Sequence, residues 1–338
     1  MFIKLKKLTP GLLLSICVAI VAIFLSGLIP GDIIGATVMA LLVGMALNPI
    51  LNKYDKFNQG VDFAGKIILR VGIILMGVNM NFSEVLNVGK YALFVMIFTM
   101  GTAFAVGNLI GKIFKMDWKI TNLLSISTAI CGGSAVATVG PVIKAKDEDI
   151  AYVISATFIF DVITVVAFPW IGLALGMSDT GFGVWAGTAV NDTSSVVAAG
   201  YAFSEAAGNI AVIVKLTRTM FIIPFVLIFS FISERVEARS NIKQGPTPIN
   251  IKKIFPYFII LFLGVVLLRS TGIIPSNIVP SLSKVSKFCM IMALSAIGLK
   301  TSYKDIRNIG PKPMILGFIV DTLVVFVSMA VLLATGRF

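Results

Sequence analysis

Apolar runs of about 20 residues recur along the whole length of this chain of 338 residues. A helix of that length rises about 30 Å, which matches the hydrocarbon core of a bilayer. Hydrophobic residues make up 57% of the chain and charged residues only 13%, whereas a soluble domain carries about 25% charged residues. The sequence therefore predicts an all-α, polytopic membrane protein that forms one transmembrane domain over residues 1–338.

The predicted transmembrane helices number about eleven. They are 10–29, 31–51, 63–80, 90–111, 121–143, 150–175, 181–203, 208–232, 254–270, 285–299 and 313–335. Residues 1–62 hold the N-terminal spans, residues 63–232 form most of a core, and residues 254–338 hold the C-terminal spans. The polar, basic stretch 233–253 predicts a cytoplasmic linker.

Two of these segments are interrupted by small polar residues near their middle. The first contains Cys-Gly-Gly-Ser at residues 131–134, and the second contains Asn-Asp-Thr-Ser-Ser at residues 191–195. Unwound backbone at membrane depth is tolerated only where protein or a water-filled cavity supplies hydrogen bonds. Paired broken helices point to the binding site of a transporter. We therefore predict two broken helices, near residues 130–135 and 190–195.

Two internal matches indicate repeats. Residues 76–89 match residues 297–310 at a shift of 221 positions, and seven crossings separate the copies, which predicts an inverted repeat of residues 66–112. A second match, at a shift of 60, aligns the two breaks and pairs Ser134 with Ser194. It would make spans five and seven parallel. Either one segment is re-entrant, or the span count is off by one, or the match is chance.

Lysine and arginine distribute unevenly between the two predicted sides of the membrane. With the N-terminus in the cytoplasm, 18 of the 28 basic residues fall inside, 7 fall outside and 3 lie within spans. This asymmetry follows the positive-inside rule. The net charge of +12 therefore reflects topology and not nucleic-acid binding. The predicted location is the inner (plasma) membrane of a bacterium, with a cytoplasmic N-terminus.

Ionisable side chains within the spans are expected to face the protein interior, because a charge at the bilayer centre costs roughly 2.5–3.5 kcal/mol. They include Asp161, Asp192, Lys215, Arg218 and Asp321. We expect Lys215 or Arg218 to neutralise Asp161 or Asp192. The sequence offers no obvious partner for Asp321, which makes it a second candidate for ion coupling.

The two breaks and the basic residues supply the candidate site. Predicted substrate-binding residues are Cys131, Gly132, Gly133, Ser134, Asn191, Thr193, Ser194, Lys215 and Arg218. Half-helix N-termini can hold an anion through exposed amides, and a guanidinium matches carboxylate or sulfonate oxygens. Asp192 and Asp161 are predicted to couple transport to an ion. That ion is either a proton or a Na⁺ held by Asn191, Asp192 and Thr193.

Each of these features also has a purely structural interpretation. Asp, Thr and Ser favour helix N-caps, so Asp192 can cap the second half-helix. Gly132 and Gly133 can serve close helix packing. Lys215 and Arg218 can belong to an ion pair that only stabilises the bundle. The sequence leaves these interpretations open.

Several functional classes are disfavoured by what the chain lacks. It has no histidine, which excludes an imidazole metal ligand and a histidine proton shuttle. The three cysteines, Cys17, Cys131 and Cys289, are too scattered for a disulfide framework or a metal site. No nucleotide-binding motif and no nucleophile–base set is visible. We therefore predict no cofactor and no enzymatic activity.

The sequence around both breaks is similar to that of a known family. Residues 129–135 (Ala-Ile-Cys-Gly-Gly-Ser-Ala), 141–146 (Pro-Val-Ile-Lys-Ala-Lys), 187–192 (Gly-Thr-Ala-Val-Asn-Asp) and 196–200 (Val-Val-Ala-Ala-Gly) resemble the YeiH-type sulfate exporter family of bacteria. The likeness covers nearly the whole chain. That family is grouped with the bile-acid:sodium symporter superfamily. The resemblance implies a core domain with two broken, crossing helices and a separate panel domain.

The resemblance places Gly132-Gly133 and Asn191-Asp192-Thr193 at the crossing point. Members of the family often have His-Glu where this chain has Asn191-Asp192. The acid is retained and the imidazole is lost, which puts a histidine-dependent proton step in doubt.

These observations together predict a secondary active transporter of a small anion, such as sulfate, a sulfonate or a carboxylate. It would be an exporter or exchanger coupled to H⁺ or Na⁺ and would work by alternating access. The predicted partners are this solute, the coupling ion and the lipid bilayer, and a homodimer is left open. Two alternatives remain, a cation:proton antiporter and a channel or non-transporting membrane sensor.

Overall fold

The computed structural model describes residues 2–28, 36–51, 54–239, 255–300 and 311–338, and every regular element in these ranges is helical. The α-helices are α1 (Phe2–Leu28), α2 (Ala36–Leu51), α3 (Asn58–Phe63), α4 (Leu69–Met76), α5 (Phe82–Ile113), α6 (Trp118–Ile126), α7 (Gly133–Val142), α8 (Asp147–Ala174), α9 (Asp179–Ala189), α10 (Thr193–Phe203), α11 (Glu205–Met220), α12 (Ile222–Arg239), α13 (Tyr257–Ser270), α14 (Val279–Lys300) and α15 (Pro311–Ala334). Short 3₁₀ turns span Asp55–Phe57 and Gly77–Asn79, and π-helical turns span Ala64–Ile68 and Ser127–Cys131.

Six helices in the described ranges are long and apolar enough to cross a membrane, judged by length and composition. They are Lys7–Leu28, Phe82–Ile113, Glu148–Ala174, Glu205–Val236, Val279–Lys300 and Pro313–Ala334. They support a multi-pass membrane protein, while the predicted count of about eleven spans is not confirmed. Of the predicted linker 233–253, residues 233–239 continue α12 and the remainder lies outside the described residues.

Side-chain caps and left-handed residues fix several helix ends. Asn81, Asp117 and Ser178 accept backbone N–H groups at the starts of α5, α6 and α9, which satisfies donors that the helices leave unpaired. Lys115 and Lys144 have φ of 51° just beyond α5 and α7. A residue in this left-handed region turns the chain away from the helix axis. These turns bring α6 and α8 back into the bundle.

Helices α1–α4, α13 and α14 pack together, and we call them the scaffold group. Where α2 meets α14, Gly44 and Gly298 let the two backbones touch. A Cβ on Gly44 would lie 2.5 Å from the carbonyl oxygen of Ser295, and one on Gly298 would lie 2.2 Å from that of Leu41. Any larger side chain would therefore push the helices apart.

Helices α5–α12 and α15 form the second group, which we call the hairpin group. Its core is a cluster of buried apolar residues that includes Phe168, Phe182 and Trp185, and the rings of Phe168 and Trp185 stack with centroids 4.1 Å apart. The two groups meet where α10 lies against α2 and α14. The division of the chain into independent core and panel domains stays a prediction.

The first internal match can be followed only in part, because residues 301–310 of its second copy lie outside the described residues. The helices around the described parts, α4 and α14, lie side by side and antiparallel. Gly65 faces Ile297, whereas Gly72 faces Met290. An inverted repeat would produce this arrangement, and the repeat itself stays a prediction.

Candidate functional site

The first predicted break is the tip of a helical hairpin. After the π-helical turn, Gly132 adopts φ of 63° and ψ of −137°, and α7 begins at Gly133. Lys119, near the start of α6, donates from Nζ to the carbonyl of Lys144, just beyond α7, at 2.7 Å. A straight helix would place two residues that are 25 positions apart about 37 Å from each other. The chain therefore reverses at Gly132, and we call α6 through α7 hairpin 1.

The second predicted break has the same form. A short extended link joins α9 to α10. Ser204, just beyond α10, donates from Oγ to Oδ1 of Asp179, the first residue of α9, at 2.5 Å. The rings of Phe182 and Phe203 stack nearby with centroids 4.0 Å apart. The two ends of this segment therefore meet, and we call α9 through α10 hairpin 2.

Both segments are interrupted as predicted, but the implied pair of crossing helices is wrong. Spans 121–143 and 181–203 each return to the side from which they start. Hairpin 1 ends at the start of α8, and hairpin 2 begins just after the end of α8, so the hairpins enter from opposite sides. Their tips meet, since a Cβ on Gly132 would lie 3.5 Å from the amide nitrogen of Asp192.

The opposite entry of the hairpins agrees with the match at a shift of 60. That match aligns Ser134 with Ser194 and continues into the helix that follows each hairpin. Helix α8 starts at the open end of hairpin 1 and α11 at the open end of hairpin 2. The two units therefore run in opposite directions, and the re-entrant alternative is the one that the geometry supports.

A buried lysine binds the carbonyl ends of both hairpins. Lys215 of α11 is fully buried, and its Nζ donates to the carbonyls of Ile130 at 2.8 Å and Val190 at 3.2 Å. The C-terminal carbonyls of a helix lack intrahelical partners and carry partial negative charge, so a cation stabilises them. Lys215 thereby links the last turn of α9 with the π-helical turn that ends α6.

Arg218, one turn further along α11, does the same. It is 1% exposed and donates from Nε to the carbonyl of Ala129 at 2.8 Å and from Nη1 to that of Thr188 at 2.7 Å. Among the described residues, no ion pair within 4.0 Å joins Lys215 or Arg218 to an aspartate. The predicted pairing of these cations with Asp161 or Asp192 is therefore wrong, because backbone carbonyls take their hydrogen bonds instead.

Carboxylates bind the amide side of the tip of hairpin 2, where α10 begins. Asp161, in the middle of α8 and 1% exposed, accepts the backbone N–H groups of Asn191 at 2.9 Å and Asp192 at 3.2 Å. Asp192 accepts the backbone N–H of Ser194 at 2.7 Å and also binds the Ser194 hydroxyl. Asp192 is therefore the N-cap of α10, which is the structural role that its sequence position allowed. Both carboxylates stabilise the positive end of α10.

Asn191 connects this tip to the last helix. Its Nδ2 donates to Oδ1 of Asp321 at 2.9 Å, and Thr128 of hairpin 1 donates to the same oxygen at 2.5 Å. Sequence reasoning found no partner for Asp321, because both of its donors are uncharged and lie more than a hundred positions away. Asp321 therefore holds the two tips against α15.

The amide end of hairpin 1 has no comparable carboxylate. Gly132, at the N-cap position of α7, makes no side-chain capping bond. The Ser134 hydroxyl donates back to the carbonyl of Cys131 at 2.9 Å and approaches its Sγ at 2.8 Å. Gly133 is half-buried and Ser134 is exposed. The first amides of α7 therefore have no side-chain partner within the described residues.

A cavity of about 480 Å³ separates the hairpin group from the scaffold group. Its hairpin wall consists of Asp192, Thr193 and Ser194 at the tip of hairpin 2, together with residues of α8 that include Phe158. Asp192 and Thr193 are half-buried. The cavity therefore brings three of the predicted site residues to an open space, whereas Lys215, Arg218 and Asn191 lie behind them in the protein.

The opposite wall of this cavity carries charges that sequence reasoning missed. It includes Asp62, Lys66 and Lys300 of the scaffold group, and Lys300 forms an ion pair with Asp62. These residues lie at the ends of predicted spans. Charged residues are common there, so their presence in the sequence did not indicate a functional site. The spacing of Asp62 and Lys66, which share a helix face at i and i+4, was the one available hint.

A smaller cavity of about 190 Å³ lies nearer the other end of α14 and includes Tyr201, Glu205 and Lys287 in its lining. Lys287 of the scaffold group and Glu205 of the hairpin group form an ion pair of 2.6 Å. Apolar residues, including Val197 and Leu294, are buried in the cluster where the two groups pack. The contact between the groups is therefore open at one end and bridged by an ion pair at the other.

Comparison with known proteins places the chain in a family. Residues 10–317 match the family described as "Conserved hypothetical protein 698". The chain belongs to this family. A relative from Clostridium tetani, named "UPF0324 membrane protein", is 56% identical over 98% of this chain and 99% of its own length. Relatives of the same type from Streptococcus pyogenes serotype M6 and Streptococcus pneumoniae R6 are 38% and 36% identical over at least 98% of both chains.

The printed names of these relatives describe membrane proteins. Together with the long apolar helices, they identify a multi-pass membrane protein. The sulfate exporter resemblance goes beyond these names.

Proposed function

We propose that this protein is a secondary active transporter of a small anion, an exporter or exchanger coupled to H⁺ or Na⁺. The observation that carries the proposal is the cavity of about 480 Å³ that ends at Asp192, Thr193 and Ser194 on the tip of hairpin 2. Irregular backbone at membrane depth is typical of transporter sites, where it contacts the solute or the coupling ion. Two such tips meet beside this cavity.

The charges around the cavity support coupling between an anion and a cation. Lys66 on the scaffold wall attracts an anion, whereas the carboxylate of Asp192 on the hairpin wall repels it. A proton or Na⁺ on Asp192 removes this repulsion. Binding of the cation therefore favours binding of the anion, and the reverse holds by linkage. The direction of transport follows from the gradients and not from this geometry.

The two cavities support alternating access. The larger one is lined by the Lys300 end of α14, and the smaller one by the part near Lys287. The ion pair between Glu205 and Lys287 bridges the groups at the smaller cavity. Movement of the hairpin group along α14 would open that end and close the other, which exposes the site to each side in turn.

The hairpins also sharpen the proposed orientation, with the N-terminus in the cytoplasm of a bacterial cell. Because hairpin 1 returns to its starting side, Lys144 and Lys146 move from the outer to the inner count. The distribution of basic residues then becomes 20 inside and 5 outside instead of 18 and 7. This stronger asymmetry is the direction that the positive-inside rule favours.

The substitution Asp192→Asn tests the proposed coupling. Asparagine is as good an N-cap as aspartate, so α10 keeps its cap while the titratable group is lost. We expect uptake driven by a proton or Na⁺ gradient into proteoliposomes to fall at least tenfold. The labelled anions offered are sulfate, methanesulfonate and butyrate.

The matched control is Asp117→Asn. Asp117 caps α6 in the same way, accepting the backbone N–H of Lys119 at 2.7 Å, but it is exposed and away from the cavity. This variant should transport like the unmodified protein. Equal gradient-driven flux in the Asp192 variant and in this control would remove the proposed coupling role.

A cation:proton antiporter is a second candidate, and one observation favours it. Asp161 and Asp321 both accept hydrogen bonds from Asn191, and the nearby cations bind carbonyls instead of these acids. Oxygen atoms of this kind suit a hard cation. Proton movement that Na⁺ induces in proteoliposomes without any added organic anion or sulfate would support this function over anion transport.

A further inference from the structure

We infer that the solute is a monovalent organic anion with an apolar body, such as an alkyl sulfonate or carboxylate, and not an inorganic divalent oxyanion. This inference rests on the proposed function and narrows its substrate class. It depends on two properties of the large cavity, which are the number of its uncompensated charges and the chemistry of its remaining surface.

The charges of the cavity match a single negative charge. Its charged lining residues are Asp62, Lys66, Asp192 and Lys300. The ion pair between Asp62 and Lys300 leaves these two residues mutually neutral. Once a proton or Na⁺ neutralises Asp192, Lys66 supplies the one surplus charge in the described lining. A monovalent anion would balance it, whereas sulfate would leave one negative charge that no cation of the described lining compensates.

Lys66 is available for this role. It is exposed, and it makes no hydrogen bond or ion pair with any other described residue. Its ammonium is a point charge on a flexible stem and requires no particular geometry of the anion. The hydroxyl of Thr193, which is half-buried on the facing wall, is in a position to donate to the same head group. The polar contacts therefore suit one compact acidic group.

The rest of the cavity is apolar on both walls. Leu69 and Ile297 stand on the scaffold side, and Ile154 and Phe158 stand on α8. The volume of about 480 Å³ lies within the range of about 300–1,000 Å³ that is typical of sites for drug-sized molecules. A tetrahedral inorganic anion would fill a small part of this space and would gain nothing from the apolar walls. An alkyl chain would be in contact on both sides.

A homologous series of ligands tests this inference on the purified, full-length protein in detergent. The probes are sodium sulfate and the alkane-1-sulfonates from methane to butane, with affinity measured by calorimetry at saturating Na⁺ and at low pH. Each methylene buried from water should raise affinity about fourfold, so butanesulfonate should bind roughly fiftyfold more tightly than methanesulfonate. Sulfate should bind more weakly than any member of the series.

Two substitutions separate the head group from the chain. Lys66→Gln should weaken every sulfonate by the same factor and leave the gain per methylene unchanged, whereas Lys112→Gln on the exposed end of α5 should change nothing. Phe158→Ala should reduce the gain per methylene. Its matched control is Phe326→Ala, since Phe326 is 65% exposed and lies away from the cavity. In that variant the gain in affinity per methylene should be unchanged.

The outcomes distinguish this inference from the proposed function. Tight binding and gradient-driven flux of sulfate, with no dependence on chain length among the sulfonates, would overturn the inference and leave anion transport intact. A gain per methylene that is equal in the Phe158 and Phe326 variants would indicate partitioning into detergent and would also overturn it. Failure of every anion to bind or to be transported would overturn the inference and the proposed function together.

Discussion

The two hairpin tips differ at one end and agree at the other. At their carbonyl ends both are bound by the same pair of cations, Lys215 and Arg218. At their amide ends they differ. The amides of hairpin 2 are bound by Asp161 of α8 and by Asp192, whereas hairpin 1 has no side-chain cap on α7. At one tip the protein thus supplies negative groups to the positive helix end, and at the other no side chain caps it.

This difference distinguishes a helix end that the protein itself caps from one that a ligand could cap. The positive end of a helix is stabilised by a negative group, whether that group belongs to the protein or to a ligand. In hairpin 2 the protein supplies the group, through Asp161 and Asp192. In hairpin 1 a ligand would have to supply it.

The largest effect is expected from Arg218→Met, because Arg218 serves both tips. Loss of its donors leaves the carbonyls of Ala129 and Thr188 unpaired in the protein interior, at about 1–3 kcal/mol for each. We expect the free energy of unfolding in detergent to fall by about 2–6 kcal/mol. Lys112→Met, on the exposed end of α5, should be neutral. An Arg218 variant as stable as that control would refute the role assigned to the carbonyl contacts.

A smaller effect, confined to one tip, is expected from Asp161→Asn. An amide oxygen can accept one backbone N–H but lacks the charge that two donors share, so the loss should be about 1–3 kcal/mol. Hydrogen exchange followed by mass spectrometry should show faster exchange in peptides around residues 188–196. Peptides around residues 128–138 should keep their rates. Equal acceleration at both tips would mean that they are not capped independently.

The smallest effect on stability, with a large effect on function, is expected from Ser134→Asp. A carboxylate in the first turn of α7 should stabilise the helix by about 0.3–1 kcal/mol and supply the negative group that its first amides lack. If a transported anion approaches these amides, flux should fall at least tenfold. Ser134→Asn is the matched control, since it adds a similar volume without charge. Equal flux in both variants would show that the tip of hairpin 1 is not on the transport path.

The sequence was sufficient for the helical class and for the position of both breaks. Glycine pairs and clustered polar residues are rare in an apolar run unless the helix is interrupted there. The reversal of the chain was not predictable in the same way. Residues 121–143 and 181–203 are as long and as apolar as true spans, because both arms of a re-entrant hairpin are buried. Only the contacts at the open ends, such as Lys119 with Lys144, reveal the turn.

The partners of the buried charges were also beyond sequence reasoning. Pattern analysis pairs Lys215 and Arg218 with acids, because only side chains are visible in a sequence. Their acceptors at 3.3 Å or less are backbone carbonyls, which every residue possesses and which become available only where a helix ends. The charges of the cavity were missed for a related reason. Lys66 and Lys300 resemble ordinary charges at the ends of spans until the fold brings them opposite Asp192.

The contacts of Arg218 also restrict how the two hairpins can move. Its guanidinium donates hydrogen bonds to backbone carbonyls of both hairpins, which enter from opposite sides. Neither tip can therefore be displaced alone without breaking those bonds. We expect the two hairpins to move together as one rigid body, because Arg218 binds both of them near their tips. The proposed movement would then take place along α2 and α14, whose backbones touch at Gly44 and Gly298.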